Sequence, residues 1–192
     1  MDIKNTHHVY ITITEMLTDR GYSVSKDIDY EDFIIMYNEN NYDITDNDDK
    51  IHVTFYKDAK AFSKKDLEIM VHNIKERFEN EDINIVIILR DKYNVAIEKE
   101  LLNPLYKNVE IFLFNNLTFN ITKHQDMPKH IPLSEEEIQQ LAEKYHMPKT
   151  QFQKMLATDP VAKYYGVKSG GMFKVIRPSY ASGEFVTYRL VR

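Results

Sequence analysis

The chain of 192 residues has no cysteine. That excludes disulfides, thiolate metal ligands and a cysteine nucleophile. Glycine and proline are also sparse, at five and six, and four of the five glycines fall after residue 165. The longest uninterrupted apolar run, Ile85–Leu89, is far shorter than the roughly 20 residues a membrane-spanning helix needs. The opening Met1-Asp2-Ile3-Lys4-Asn5 lacks the basic-then-apolar pattern of a secretion signal. An intracellular protein without a membrane partner is the expectation. No Walker-type phosphate loop, dinucleotide fingerprint or Gly-x-Ser-x-Gly elbow occurs, and Gly170-Gly171 has no helix after it.

What is present is ordinary globular composition, 43% hydrophobic and 29% charged, in a chain long enough for one large or two small domains. The net charge of −5 is unevenly spread. Residues 126–192 hold ten Lys/Arg and seven Asp/Glu, a balance of +3, and residues 146–192 hold eight basic and two acidic groups. Two modules with different partners are expected, although a solvated basic face alone accounts for such a balance.

Periodicity divides the first part into alternating helices and strands. Val9, Ile13, Met16 and Leu17 share a helical face over 7–20, and Phe33, Ile34 and Tyr37 do so over 30–37. Residues 38–50, rich in Asn and Asp, read as irregular loop. Ile51, Val53 and Phe55 alternate with His52, Thr54 and Tyr56, the pattern of a half-buried strand. Ser63 and Asp66 form a capping box for a helix with Leu67, Met70, Val71, Ile74 and Phe78 on one side. A doubly buried strand at 83–89, a short helix at 94–102 and a strand at 109–114 follow. This order predicts an α/β domain with a mainly parallel sheet.

Pro128, Pro132 and Pro148 then mark a second, α+β module. Ser134 and Glu137 box a helix bearing Ile138, Leu141, Ala142 and Tyr145, and a second short helix is expected near 150–156. Asp159-Pro160-Val161-Ala162-Lys163-Tyr164-Tyr165-Gly166 spells a very short helix with both ends marked. Thr158 or Asp159 caps it, Pro160 sits where a missing N–H costs nothing, and Gly166 supplies the left-handed exit. Strands are expected at 172–176 and 184–192, joined through Pro178 and Ser182-Gly183. The Tyr164-Tyr165 pair reads as core or interface.

The residues that could carry catalysis or hold a metal do not fall at the required spacings. His124 and His130 flank Met127-Pro128 in extended chain, with no third ligand at metal spacing. An acid-rich loop before a strand is the outline of a metal-dependent nuclease, with Asp48 and Asp49 as first ligands. Such a site needs an acidic residue two before a lysine, and ahead of Lys57 that position is Phe55. Asp48-x-Lys50 has the right letters in a loop with no preceding ligand strand. No catalytic residue, metal or cofactor is expected.

From His124 onward the chain resembles the fifth subunit shared by the eukaryotic nuclear RNA polymerases, together with its small archaeal polymerase counterpart. The family's entry motif stands here as His124-Gln125-Asp126-Met127-Pro128-Lys129-His130, with Leu133 and Glu135-Glu136 after it. Asp159 to Gly166, Ile176-Arg177-Pro178-Ser179 and Tyr188-Arg189-Leu190-Val191 match as well. The first 120 residues are similar more loosely to the family's N-terminal jaw domain, best at Met16-Leu17-Thr18-Asp19-Arg20-Gly21-Tyr22.

The resemblance implies a jaw domain over 1–122, restriction-endonuclease-like without the active site, and an assembly domain over 123–192. It implies a non-catalytic subunit of a multisubunit DNA-dependent RNA polymerase. The assembly domain would dock on the largest subunit among other subunits, and the jaw would lie along downstream duplex DNA. The implied subunit interface comprises His124, Pro128, His130, Asp159, Pro160, Tyr164, Tyr165, Gly166, Arg177 and Arg189. The family's DNA-approaching Thr-Pro-Ser-Ala loop corresponds to Tyr93-Asn94-Val95-Ala96, leaving Arg90 and Lys92 as the phosphate contacts. A metal-dependent nuclease and a stand-alone protein-binding adaptor are the alternatives. Abundant Asn, Ile, Asp and Lys suggest a virus-encoded member acting in host cytoplasm and virion, with the nucleus as the competing location.

Overall fold

A computed structural model of the chain describes residues 2–24, 28–56, 62–179 and 183–192. Lys57 and Ser182, both named above, lie outside the described residues. The chain forms two compact units, residues 1–119 and 120–192. The second begins slightly upstream of the expected residue 123.

The N-terminal unit is built on a four-stranded sheet in the order β1-β2-β3-β4. β1 (Ile44–Thr45) is antiparallel to β2 (Ile51–Phe55), whereas β2, β3 (Asn84–Leu89) and β4 (Val109–Leu113) run parallel. The crossovers are α3 (Lys64–Phe78) and α4 (Val95–Glu100), as right-handed βαβ connection favours. In β3, Ile85, Ile87 and Leu89 pack in one cluster with Leu67, Val71 and Ile74 of α3 and Ile97 of α4. The alternate residues Val86 and Ile88 are equally buried, so β3 is covered on both faces.

Two helices precede the sheet. α1 (Ile3–Asp19) starts earlier than its apolar stripe suggested, because the Asp2 side chain accepts the Lys4 N–H. α2 (Tyr30–Asn38) is capped by Asp29. Their meeting point is Phe33, fully buried, whose ring lies 5.0 Å from His7, 5.3 Å from Tyr10 and 6.4 Å from Tyr42. Arg20, at the end of α1, is clamped to Glu110 of β4 through two hydrogen bonds of 2.8 and 3.3 Å, with only 6% of its side chain exposed. Tyr22 accepts a hydrogen bond from Asn84 at the start of β3. The Met16–Tyr22 stretch therefore fastens the helix to the sheet.

Two expectations are corrected here. β2 is not half-buried: every residue from Ile51 to Phe55 is buried. It is flanked by β1 and β3, and its polar residues find partners, His52 Nδ1 with the Thr45 hydroxyl at 2.8 Å and the Thr54 hydroxyl with Asp43 at 3.2 Å. Nor are residues 38–50 wholly irregular. They contain β1 and the buried Asp46, whose carboxylate accepts the Lys50 and Ile51 amides at 2.7 and 2.8 Å. Asn and Asp mark turns, but here one aspartate organises a hairpin.

The C-terminal unit is a second four-stranded sheet, in the order β5-β7-β8-β6. β5 (Lys129–Leu133), β7 (Met172–Ser179) and β8 (Gly183–Val191) pair antiparallel, and β6 (Gln153–Met155) runs parallel to β8. One face is covered by α5 (Glu135–Tyr145), whose Ile138 and Leu141 meet Phe152, Met172 and Leu190. The other is covered by α6 (Pro160–Tyr164), whose Val161 and Ala162 meet Phe173, Val175 and Val191. The expected helix at 150–156 is instead a 3-10 turn, Lys149–Gln151, followed by β6. Pairing with Arg189–Val191 captures this segment, a tertiary choice that local propensity does not reveal. Pro178 lies within β7 opposite Glu184 rather than in the connection.

Asp46→Ala leaves the buried Ile51 amide without an acceptor and should destabilise the N-terminal unit by about 1–3 kcal/mol. The urea midpoint should fall with an unchanged m-value, and Asp46→Asn, which keeps an acceptor oxygen, should lose less.

Candidate docking interface

The β7–β8 register sorts the residues singled out in the sequence. Opposed residues in an antiparallel pair share a face, and alternate residues along each strand return to it. Phe173 opposes Arg189, Val175 opposes both Thr187 and His130, and Arg177 opposes Phe185. Phe173, Val175, Arg177, Phe185, Arg189 and His130 therefore occupy one face, the one α6 covers in part.

α6 owes its place to its ends. Asp159, not Thr158, is the cap, accepting the Val161 N–H at 2.9 Å, and Pro160 opens the helix. At the exit, Gly166 (φ 66°) donates to the Lys163 carbonyl and Val167 to the Ala162 carbonyl, both at 3.0 Å. This closes the last turn in the double-bonded arrangement that a left-handed residue permits. One short turn of helix thereby aims two tyrosines. Tyr164 is buried, its hydroxyl accepting from the Asn120 side chain at 2.9 Å. Tyr165, half-buried, packs against Phe173 at 5.8 Å between ring centroids.

The two histidines of the entry motif have separate fates. His124 is exposed, and its Nδ1 accepts the Asp126 N–H at 3.2 Å. His130 is half-buried, edge-on to Phe173 at 5.9 Å, with Nδ1 2.7 Å from the Pro128 carbonyl oxygen. A carbonyl only accepts, so Nδ1 carries the proton. Burial lowers the His130 pKa from its ordinary 6.5, against the pull of the Pro128 bond, and the Arg189 and Arg177 charges lower it further. Asp159 opposes them. The charges of Arg189, Asp159 and Arg177 thus all act on His130 beside Phe173. Arg177 is exposed, whereas Arg189 is half-buried, with its Nε shielded and without a hydrogen-bond partner among the described residues.

Phe173 and Asn120 are the members sequence reasoning missed. Phe173 passed as one more alternating strand residue. Asn120 had a local signal, since its side chain also accepts the Thr122 amide at 2.9 Å, an Asx turn that opens the unit.

In the N-terminal unit, Arg90 and Lys92 are exposed in the turn after β3, before the Asn94-capped α4. The carboxylates of the nuclease reading are used otherwise. Asp48 pairs with Lys50 at 2.7 Å, Asp49 occupies a turn at φ 51°, and Phe55 is buried against Tyr42. Among the described residues no group of three or more His, Asp or Glu is placed to hold a metal ion. The geometry is one of binding surface: aromatic and apolar residues rimmed by arginines on a small, doubly packed sheet.

Comparison with known proteins follows the same lines. The family model described as RNA polymerase Rpb5, C-terminal domain, matches residues 119–191. A Dictyostelium discoideum protein named DNA-directed RNA polymerases I, II, and III subunit rpabc1 is 33% identical over 199 residues, covering 98% of each chain. The Caenorhabditis elegans subunit RPABC1 is 31% identical over 200 residues, covering 94% of this chain and 92% of its own. The Caenorhabditis briggsae counterpart is 29% identical over the same span.

With its pKa lowered, His130 stays neutral in the folded chain at pH values where the unfolded chain already binds a proton. Folding stability should therefore fall as pH drops below about 6.5 toward the folded-state value. An NMR titration should place the His130 midpoint below 6.5; a midpoint at or above it contradicts the packing described.

Proposed function

Because the chain belongs to the Rpb5 family of DNA-directed RNA polymerase subunits, we propose that its C-terminal unit docks on the largest subunit of a multisubunit polymerase. On the same reading its N-terminal unit is a jaw along downstream duplex DNA. The chain is a non-catalytic subunit. It contributes surface to transcription, and the chemistry resides elsewhere in the assembly.

The observation that carries the docking assignment is the gathering of the motif residues around Phe173. His130, Arg177 and Arg189 share one face of the sheet with Phe173, Tyr165 packs on that ring, and Asp159 caps the helix that covers part of the same face. The shielded Arg189 Nε costs about 1–3 kcal/mol if left without an acceptor, and a partner's carboxylate or carbonyl supplies one. Arginine with aromatic residues is also the composition of interface centres. A unit of this size can contribute its half of an interface burying about 1,200–2,000 Å².

For the jaw, the parallel β2-β3-β4 core with its antiparallel β1 fits a restriction-endonuclease-like fold that has lost its acid site to Phe55. Arg90 and Lys92 follow the carboxyl end of β3, the end where open α/β sheets place their ligands. They are the cations we assign to downstream phosphates. The overall charge of −5 keeps this contact dependent on the assembled enzyme. We also infer a virus-encoded member acting in host cytoplasm and virion, from the Asn-, Ile-, Asp- and Lys-rich composition; subcellular fractionation separates that location from the nucleus.

Affinity purification of the tagged full chain should recover very large polymerase subunits. Arg177→Glu, at an exposed position, should cut that recovery by about fivefold or more, as charge reversal at an interface does. Equal recovery would remove Arg177 from the interface, and absence of large partners from the wild type would overturn the docking assignment. The free chain should bind duplex DNA no more tightly than the roughly 10⁻⁴–10⁻⁶ M of non-specific binding, with steep salt dependence. The Arg90→Ala/Lys92→Ala pair should flatten the logarithmic salt slope by about two. Sub-micromolar binding at physiological salt, or an unchanged slope, argues against this assignment.

A further inference from the structure

The C-terminal sheet has two open edges at the outer end of its central hairpin, and they are treated differently. β5 accompanies β7 only from Met172 to Ile176, and β6 accompanies β8 only from Arg189 to Val191. Beyond those limits, 177–179 and 183–188 form a two-stranded ribbon.

The hydrogen bonds at the base of the hairpin show which way each backbone group points. Val191 donates to Gly171 on the β7 side, whereas Arg192 donates to Met155 of β6. Odd-numbered residues of β8 therefore face β7 and even-numbered ones face outward, a period of two that the unbroken register carries to the ribbon tip. The same register turns the even-numbered residues of β7 toward the β5 side. On that edge the first outward position past the end of β5 is Pro178, which has no N–H to offer. Proline there is a usual protection of an open edge. The β8 edge has no such device. Past Arg189, the last residue of β8 that β6 accompanies, the N–H and C=O of Val186 point outward with no strand partner among the described residues. Val186 is 38% exposed and its neighbour Phe185 56% exposed.

We propose that the β8 edge at Val186 is a docking strand that accepts an extended segment of the polymerase's largest subunit as an added β-strand, end to end with β6. This deepens the docking role proposed above and rests on it. Charge and register set the chemistry of the added segment. One face of the ribbon shows Arg177, Phe185 and Arg189, and the other shows Val186 and Tyr188. Within 146–192 only Asp159 and Glu184 are acidic, against eight basic groups. The segment therefore alternates, with acidic side chains on the arginine face and apolar ones beside Val186 and Tyr188. Main-chain bonds supply the attachment and side chains the choice of partner, as in other strand additions.

Val186→Pro removes the outward N–H without touching the β7 ladder, so the fold survives while strand addition is blocked. Recovery of the largest subunit with the tagged full chain should fall about tenfold or more, and Val186→Thr, which keeps the amide, should stay within about threefold of wild type. Hydrogen exchange followed by mass spectrometry on the peptide spanning 183–189 should slow in the complex, because its outward amides become bonded. Loss of binding by both variants alike, wild-type binding by Val186→Pro, or unchanged exchange in the complex overturns the edge assignment. So does slowing that appears in the free chain with rising concentration alongside a dimer, which assigns the edge to a second copy. If the wild-type chain recovers no large subunit, the docking role itself fails; if it does while 183–189 stays open to exchange, only the added strand is wrong.

Discussion

The antiparallel register between β7 and β8 is the constraint on which the C-terminal unit depends. From Met172 opposite Leu190 to Ser179 opposite Gly183, it divides every residue of the hairpin between two faces. Slipping it by one residue would move Phe173 and Val175 to the α5 side and Met172 to the α6 side. Both helices would then lose their cores. Because each face is buried against a different helix, the register is doubly specified. That also fixes which arginines rim the aromatic face and which backbone groups meet solvent.

The rest of this unit serves the same sheet. The Ser134–Glu137 capping box, with bonds at 2.8 and 3.2 Å in its two directions, starts α5 where Ile138 and Leu141 reach Met172 and Leu190. Asp159 and Gly166 confine α6 to a single turn, so that Tyr164 turns inward to Asn120 while Tyr165 meets Phe173. His130 is tied to the Pro128 carbonyl and to the Phe173 ring at once, which orients the entry strand. The N-terminal unit uses a different device, a strand buried on both faces and a helix end clipped by the Arg20–Glu110 pair. Its motif residues hold structure, whereas those of the C-terminal unit also present a surface.

Several carboxylates of both units are committed to structure. Asp43 and Asp46 satisfy hydroxyl and amide groups around β2, and Asp66, Asp159 and Glu137 cap helices. A carboxylate bound to backbone amides stabilises a turn and is not available to a substrate. Phe55 is likewise committed to the core, buried against the Tyr42 ring.

Much of this was legible in the sequence where the signal is local. Capping boxes, the Pro160–Gly166 helix and the amphipathic stripe of α3 each depend on residues within a few positions of one another, and each stands where it was read. The family resemblance likewise rested on contiguous words, Asp159–Gly166 above all. What the tertiary structure alone decided is everything set by pairing across distance. β6 forms where helix was expected because Arg189–Val191 offers it a neighbour, and β2 is buried throughout because β1 and β3 enclose it. His130 is distinguished from His124 by the Phe173 ring more than forty positions away, and the open edge at Val186 exists because β6 is short. Local propensity is written into the chain residue by residue; partners brought together by folding are not, because their energies arise only when the sheet is assembled.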